Sequence, residues 1–322
     1  MKSLLNQLRD YTKVVADTGD LEAIRRFAPE DATTNPSLVL KAVQSGDYDG
    51  LLRQSVALAR KLNPHDEERA IETAQDNLVV AMAQRILEAT PGKVSIEVSA
   101  RYSYDVDATV TKARELRRLL SQTGAPVERV LIKIAATWEG AQAARILERE
   151  GVNCNLTLIF NLAQARACAE AGAFLVSPFV GRILDWYKKA KPDAEYAPEQ
   201  EPGVLSVKDI YRYYRRYGYA TVVMGASFRN IGEIIALAGC DRLTISPALL
   251  EELAETQGML LPALCDDGVR AAPPEPLTEK EFRWLMSEDA MATEKLAEGI
   301  RGFYQDQLKL EAMIRDHLRA GD

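Results

Sequence analysis

Residues 129–140 read RVLIKIAATWEG, an apolar run of valine, leucine and isoleucine with Lys133 set in its interior. At a sheet edge such a lysine could be idle, since lysines are seldom fully buried and an edge strand leaves them in water. A strand inside a closed barrel has no edge to offer. The neighbours of this stretch therefore decide both how the strand is used and what the lysine is for.

Seven further runs of the same kind flank it: KVVADT (13–18), DATTN (31–35), KVSIEVS (93–99), NCNLTLI (153–159), FLVSPF (174–179), TVVMGAS (221–227) and RLTISP (242–247). They alternate with amphipathic helical segments, the pattern of parallel strands joined by crossover helices. Eight such units over about 250 residues predict a (β/α)8 TIM barrel, α/β in class. An open doubly wound sheet is the second choice, because such sheets usually stop at about six strands. The barrel is expected over about residues 11–260 of a single domain of 322, followed by a connector and a C-terminal helical extension.

Two interruptions stand out. Residues 47–90 read as a long helical insertion broken at NPHD, and YKKAKPDAEYAPEQEPG (187–203) reads as a loop or lid at one barrel face. Helix starts are expected at Asn230 with Glu233, at Ser206 with Asp209, and at Thr278 with Glu281, where the spacing suits capping of free amides. From Met291 onward, Leu296, Ile300, Phe303, Leu310 and Ile314 form one apolar stripe at helical spacing. That stripe faces either the barrel or a second subunit.

With 47 acidic against 40 basic residues and a net charge of −7, the chain has no general attraction for nucleic acid or an anionic membrane. Any anionic ligand must be held by local charge. No run approaches the roughly 18 apolar residues of a membrane span, and the start MKSLLNQLRDYTK lacks a signal peptide's apolar core, so a cytoplasmic location is expected. Cys154, Cys168, Cys240 and Cys265 show no CxxC spacing, and the two histidines, His65 and His317, lie near no cysteine or acidic strand cluster. No metal site and no histidine-dependent hydrolase is expected. IYRYYRRYGY (210–219) interleaves arginine and tyrosine as a nucleic-acid surface does, but its aromatics fall at helical spacing and read as packing.

Strand side chains alternate faces, so polar residues can be sorted by the neighbours that share their side. Asp17 goes with Val15, Asn35 with Thr33, Glu97 with Ser95, Lys133 with Leu131 and Thr157 with Asn155, while Ser177 and Ser227 fall late in their strands. Seven strands thus present a polar residue near the carboxyl end, where barrel enzymes keep their catalytic groups. A free lysine amine is neutral in only about one molecule in 2,500 at pH 7, and desolvation favours the neutral form. A buried lysine is then an amine nucleophile, suited to converting a carbonyl to an iminium. Glu97 and Thr157, one strand to either side, can hold a water for proton shuttling; a purely structural Glu97–Lys133 ion pair is the alternative. Asp17 can take a proton from a substrate hydroxyl, or merely form a turn. Arg182 and Arg229, with Ser177 and Ser227, compose a phosphate clamp on the late loops.

In order along the chain, VVADTGD, DATTNPSL, IKIAATWEG, GVNCNLTLIF, SPFVGRILDWY and VVMGASFRNIGEI resemble the transaldolase family of the non-oxidative pentose phosphate pathway, over about residues 10–260. The resemblance implies a Schiff base at Lys133, a catalytic water held by Glu97 and Thr157, and proton acceptance by Asp17. It also implies substrate binding by Asn35, Asn155, Ser177, Phe179, Arg182, Ser227 and Arg229. The implied substrates are phosphorylated sugars, the implied assembly is a homodimer, and no metal or organic cofactor is implied. One departure is visible: the family usually reads EVDAR where this chain reads EVSAR, so Ser99 replaces an aspartate.

Overall fold

Inside the run VLIKIA every residue is buried, as expected for a parallel strand covered on both faces. The computed structural model describes residues 2–320. In it eight strands pair in parallel and in chain order to close a barrel. They are β1 (Lys13–Asp17), β2 (Asp31–Thr33), β3 (Val94–Glu97), β4 (Val130–Ala135), β5 (Cys154–Ile159), β6 (Leu175–Pro178), β7 (Val222–Gly225) and β8 (Arg242–Ile245). The open sheet is excluded.

Alternation along the strands divides the core in two. Val130, Ile132 and Ile134 point outward into the main cluster beneath the helices, whereas Leu131 joins Val15, Leu175 and Met224 inside the barrel. Lys133 shares the parity of Leu131 and so faces inward. Register then sets its neighbours: Glu97 on β3 and Asn155 on β5 both lie level with Lys133, and Thr157 lies level with Ala135.

The insertion folds as two helices, Asp49–Leu62 and Glu67–Ala89, broken at residues 63–66. Their apolar faces pack with Leu310 and Ile314 of the C-terminal helix Ala290–Ala320. This last helix has 31 residues, roughly 45 Å at the usual rise, enough to cross the barrel. Farther back, its Leu296, Ile300 and Phe303 pack with Leu158, Phe160 and Phe179, which lie at the carboxyl ends of β5 and β6. The stripe is therefore covered by the chain itself, and the helix lies over the barrel mouth.

Helix starts follow local chemistry, with one correction. Thr278 forms the expected reciprocal capping box with Glu281, and Asn230 accepts from the Glu233 amide at 3.0 Å. Ser206 does not begin a helix: that helix is Pro202–Arg216, started by proline at its first position, and Ser206 lies in its interior. In the excursion, residues 187–190 still belong to the helix Val180–Ala190, and Pro198–Gln200 form a short 3-10 turn. That turn brings Pro198 against Gly232, just after β7, on the carboxyl face. The tyrosine-rich stretch packs: Tyr211 and Tyr214 are buried, and the Tyr214 hydroxyl donates to the Ala165 carbonyl at 2.6 Å. All four cysteines are unpaired, and only Cys265 is exposed. Among the described residues no helix is long and apolar enough to cross a membrane.

Candidate active site

Lys133 sits in the fourth position of β4 with 4% of its surface exposed. Its Nζ lies 3.3 Å from Glu97 Oε2, donates to the Thr34 carbonyl at 3.2 Å, and stands 5.9 Å from the centre of the Phe303 ring. The ion pair weighed as a structural alternative is thus present. A buried charge needs such a partner, because the desolvation cost of either ion alone is several kcal/mol. The pair also places a carboxylate where it can exchange a proton with the amine. Burial pushes the Glu97 carboxyl above the usual carboxylate range, with Lys133 pulling it back down.

Two buried oxygens, Glu97 Oε2 on β3 and Thr157 Oγ1 on β5, have no hydrogen-bond partner among the described residues. The 3.3 Å contact of Glu97 Oε2 with Lys133 is an ion pair. Buried polar atoms are rarely left unsatisfied in a stable fold.

Asp17 ends β1, and its Oδ1 accepts from the Thr33 hydroxyl at 3.0 Å. Thr33 in turn bonds Thr244 of β8 at 2.7 Å. Burial raises the Asp17 carboxyl, opposed by Lys133, the Thr33 hydroxyl and Arg182. Asp17, Asn35, Lys133, Phe179, Arg182 and Ser227 border one cavity of about 70 Å³. Asn35 also caps the helix Pro36–Gln44 by accepting from the Leu38 amide, which fixes its side chain at the cavity wall. Asn155 is fully buried, donates to Ser95 Oγ at 3.0 Å and accepts from Ser177 Oγ at 2.6 Å. The Ser177 hydroxyl, expected in the phosphate clamp, is thus committed to Asn155 here.

Arg182 and Arg229 lie near enough to feel each other's charge. Arg182 lies over the rings of Phe179 and Phe303, at 5.0 and 5.4 Å, and burial together with the nearby Arg229 lowers its pKa. Arg229 is at the rim, bonded to Asp185 at 2.7 Å and to Ser227 Oγ at 3.3 Å. An exposed pair of this kind is worth about 1 kcal/mol or less, so an incoming phosphate can compete for the guanidinium.

Close backbone approach makes this corner possible. Ser227 is left-handed, with φ of 61°, and the Gly181 amide donates to its carbonyl at 2.8 Å. A Cβ at Gly181 would stand 2.5 Å from that carbonyl oxygen and 2.6 Å from Arg229 Cγ. Gly181→Ala is expected to displace Arg229 and raise KM for a phosphorylated substrate by about tenfold or more, the scale of one lost charged hydrogen bond. Steady-state kinetics with a phosphorylated sugar and its unphosphorylated analogue checks this: only the former should lose affinity.

Behind Arg229, the Glu233 carboxylate accepts from the Arg229 backbone amide at 2.6 Å. Glu233 is fully buried beside buried Glu201, and its pKa is pushed up to about 8, by burial first and then by the Glu201 contact. A carboxyl whose folded pKa exceeds its unfolded value of about 4.3 stabilises the fold fully below that value. The contribution is lost as pH rises through about 8. Wild-type Tm should accordingly fall between pH 5 and 9 (roughly the window between those two pKa values), and Glu233→Gln should flatten the fall. Thermal melts across that range measure both.

Three residues of the site, Ser95, Thr244 and Phe303, carry no signal that sets them apart in the sequence. Ser95 and Thr244 were visible as polar residues of strand parity, yet Ser95 was used only to fix the face of Glu97. Phe303 comes from the C-terminal helix, where it reads as one more apolar stripe position. Nothing in the local pattern distinguishes a stripe residue that meets a lysine from one that meets leucine.

Comparison with known proteins agrees with the geometry. The family described as Transaldolase/Fructose-6-phosphate aldolase matches residues 14–314. A protein named transaldolase from Alteromonas mediterranea is 59% identical, over 99% of this chain and 100% of its own. Proteins of the same name from Methylobacillus flagellatus and Shewanella oneidensis are 58% and 56% identical, each over 99% of this chain and over 100% and 99% of their own lengths. Barrel, lysine and full-length similarity converge, and this chain belongs to the transaldolase/fructose-6-phosphate aldolase family of enzymes.

Proposed function

We propose that the chain acts as a transaldolase, moving a dihydroxyacetone unit from sedoheptulose 7-phosphate to glyceraldehyde 3-phosphate and giving erythrose 4-phosphate and fructose 6-phosphate. The observation that carries this reading is the inward-facing, buried Lys133 with Glu97 at 3.3 Å and Asp17 on the same cavity as Arg182. Arg182 and Arg229, with Ser227, hold the phosphate; Asn35 and Asn155 hold the sugar, and Phe179 orients Arg182. Glu97 takes a proton from the Lys133 ammonium, and the free amine attacks the ketose carbonyl carbon. Glu97 and Thr157 hold the water that carries protons as the carbinolamine loses its hydroxyl. Asp17 then accepts the proton of the hydroxyl beside the bond that breaks. The first aldehyde leaves, and the enamine carbon attacks the acceptor aldehyde in the reverse sequence. Side chains fill every role, so we assign no metal or organic cofactor.

A lysine aldolase of the same family would instead protonate the enamine and release dihydroxyacetone. Phe303 and the C-terminal helix over the mouth favour transfer, because they limit the water that can reach the enamine. A time course with fructose 6-phosphate and no acceptor tests this. The transfer reading predicts release of glyceraldehyde 3-phosphate in amounts no greater than the enzyme, and steady release of dihydroxyacetone would overturn it. We also assign the chain to the cytoplasm and to a homodimer, whose interface must use a surface other than the buried stripe of the C-terminal helix.

A further inference from the structure

Glu97 borders more than the lysine. Its far side lines an open cleft of about 270 Å³ between the helix Glu67–Ala89, the loop after β3 and the C-terminal helix. Adjoining that cleft is a smaller chamber of about 30 Å³, bordered in part by Thr34, Asn35, Glu97, Ser99 and Gln307. Asn35 is common to this chamber and to the Lys133 cavity, while Glu97, Ser99 and Gln307 are common to the chamber and the cleft. The chamber carries polar groups on one side, Pro36, Val39 and Leu310 on the other, and is large enough for a water molecule.

One hydrogen bond crosses the boundary. Ser99 Oγ donates to Gln307 Oε1 at 2.7 Å, and Gln307 Nε2 donates to Glu311 Oε1 at 2.8 Å, where Arg101 stands 3.7 Å away. Gln307 is buried and belongs to the same helix that holds Phe303 over Lys133. A side-chain pair bridging two elements can open by rotamer change without moving either backbone.

We propose that this passage is a side channel for water and protons to Glu97, gated by Ser99 and Gln307 and separate from the mouth through which the sugar phosphate enters. The inference rests on the Schiff-base reading. Carbinolamine dehydration breaks the bond between the ketose carbon and its hydroxyl oxygen; Glu97 supplies the proton, a water leaves, and the C=N double bond of the iminium forms. Hydrolysis reverses each change: water adds to that carbon, Glu97 takes its proton, and the Lys133 amine departs. Both steps occur while a phosphorylated sugar occupies the side of Arg182 and Arg229. Glu97 lines the cleft and the chamber, and its buried Oε2 stands 3.3 Å from Lys133 Nζ, which lines the sugar cavity. Water released at the carboxyl thus has a way out through the chamber and cleft that Glu97 itself lines.

The test is transfer from unlabelled fructose 6-phosphate to erythrose 4-phosphate in water enriched in oxygen-18, read as label at the former carbonyl carbon of the sedoheptulose 7-phosphate formed. Times are kept short enough for nonenzymatic exchange to be negligible. The wild-type enzyme should give product labelled to the solvent enrichment. Ser99→Leu, which fills the passage, should lower label per product severalfold, because the released water is returned to the next iminium. Ser99→Ala, which breaks the bond without filling the space, should keep full labelling, and Ser99→Val provides a smaller block should the leucine variant not fold. Borohydride trapping of the Lys133 adduct in each variant shows separately that the Schiff base forms. Product as fully labelled from Ser99→Leu or Ser99→Val as from wild type, whatever the turnover rate, would overturn the channel while leaving the lysine chemistry intact.

Discussion

Lys133→Ala should reduce transfer by at least about 10⁴-fold, the scale of losing the nucleophile of a covalent mechanism. The neighbours specify how the loss arises. Glu97 loses the main group that pulls it down while burial and Asp17 still push it up, so it takes a proton more readily. The Arg182 and Arg229 corner touches neither Lys133 nor Glu97 by hydrogen bond, so affinity for a phosphorylated sugar should change by less than about tenfold. Binding of fructose 6-phosphate by calorimetry, alongside the kinetics, separates the two effects. Comparable loss of binding would make Lys133 a structural residue.

Asp17→Asn should produce the second largest effect, a fall in kcat of about 10² to 10⁴-fold with little change in KM. Asparagine keeps the size of the side chain and can still accept from the Thr33 hydroxyl, but it cannot take the substrate proton. Iminium formation depends on Lys133 and Glu97 and should survive, so the variant should accumulate trapped donor that does not cleave. The wild-type pH profile carries the same signature. Asp17 must be ionised to act, and burial raises its pKa against the pull of Lys133. Cleavage should therefore be fully active above that raised pKa and be lost as pH falls through it, at values above the ordinary carboxylate range of about 3.9. The asparagine variant should lack this acid limb.

How far the chain can be read without its structure varies residue by residue. Lys133, Glu97 and Asn155 were legible because strand parity is a two-state property and parallel register fixes what lies level across neighbours. The eight strands are legible for another reason: each is a short run bounded by helical segments. Side-chain commitments were less visible. That Ser177 bonds Asn155 and Arg229 bonds Asp185 follows from distances of a few ångströms between different strands and helices, which no local pattern encodes. Ser206 misled because a good capping residue inside a helix looks the same as one before it; Pro202, four positions earlier, was the stronger signal. The contribution of Phe303 to the lysine pocket depends on a helix that returns from the end of the chain to the mouth of the barrel. Its amphipathic stripe announced burial but not the partner.

The central claim is a covalent bond between Lys133 and the ketose. Incubation with fructose 6-phosphate and borohydride, followed by peptide mass analysis, tests it most directly. The account predicts a stable reduced adduct of the dihydroxyacetone or hexulose unit on the peptide containing Lys133, absent without sugar and absent in Lys133→Ala. An active enzyme that yields no adduct, or one at a different lysine, would contradict it.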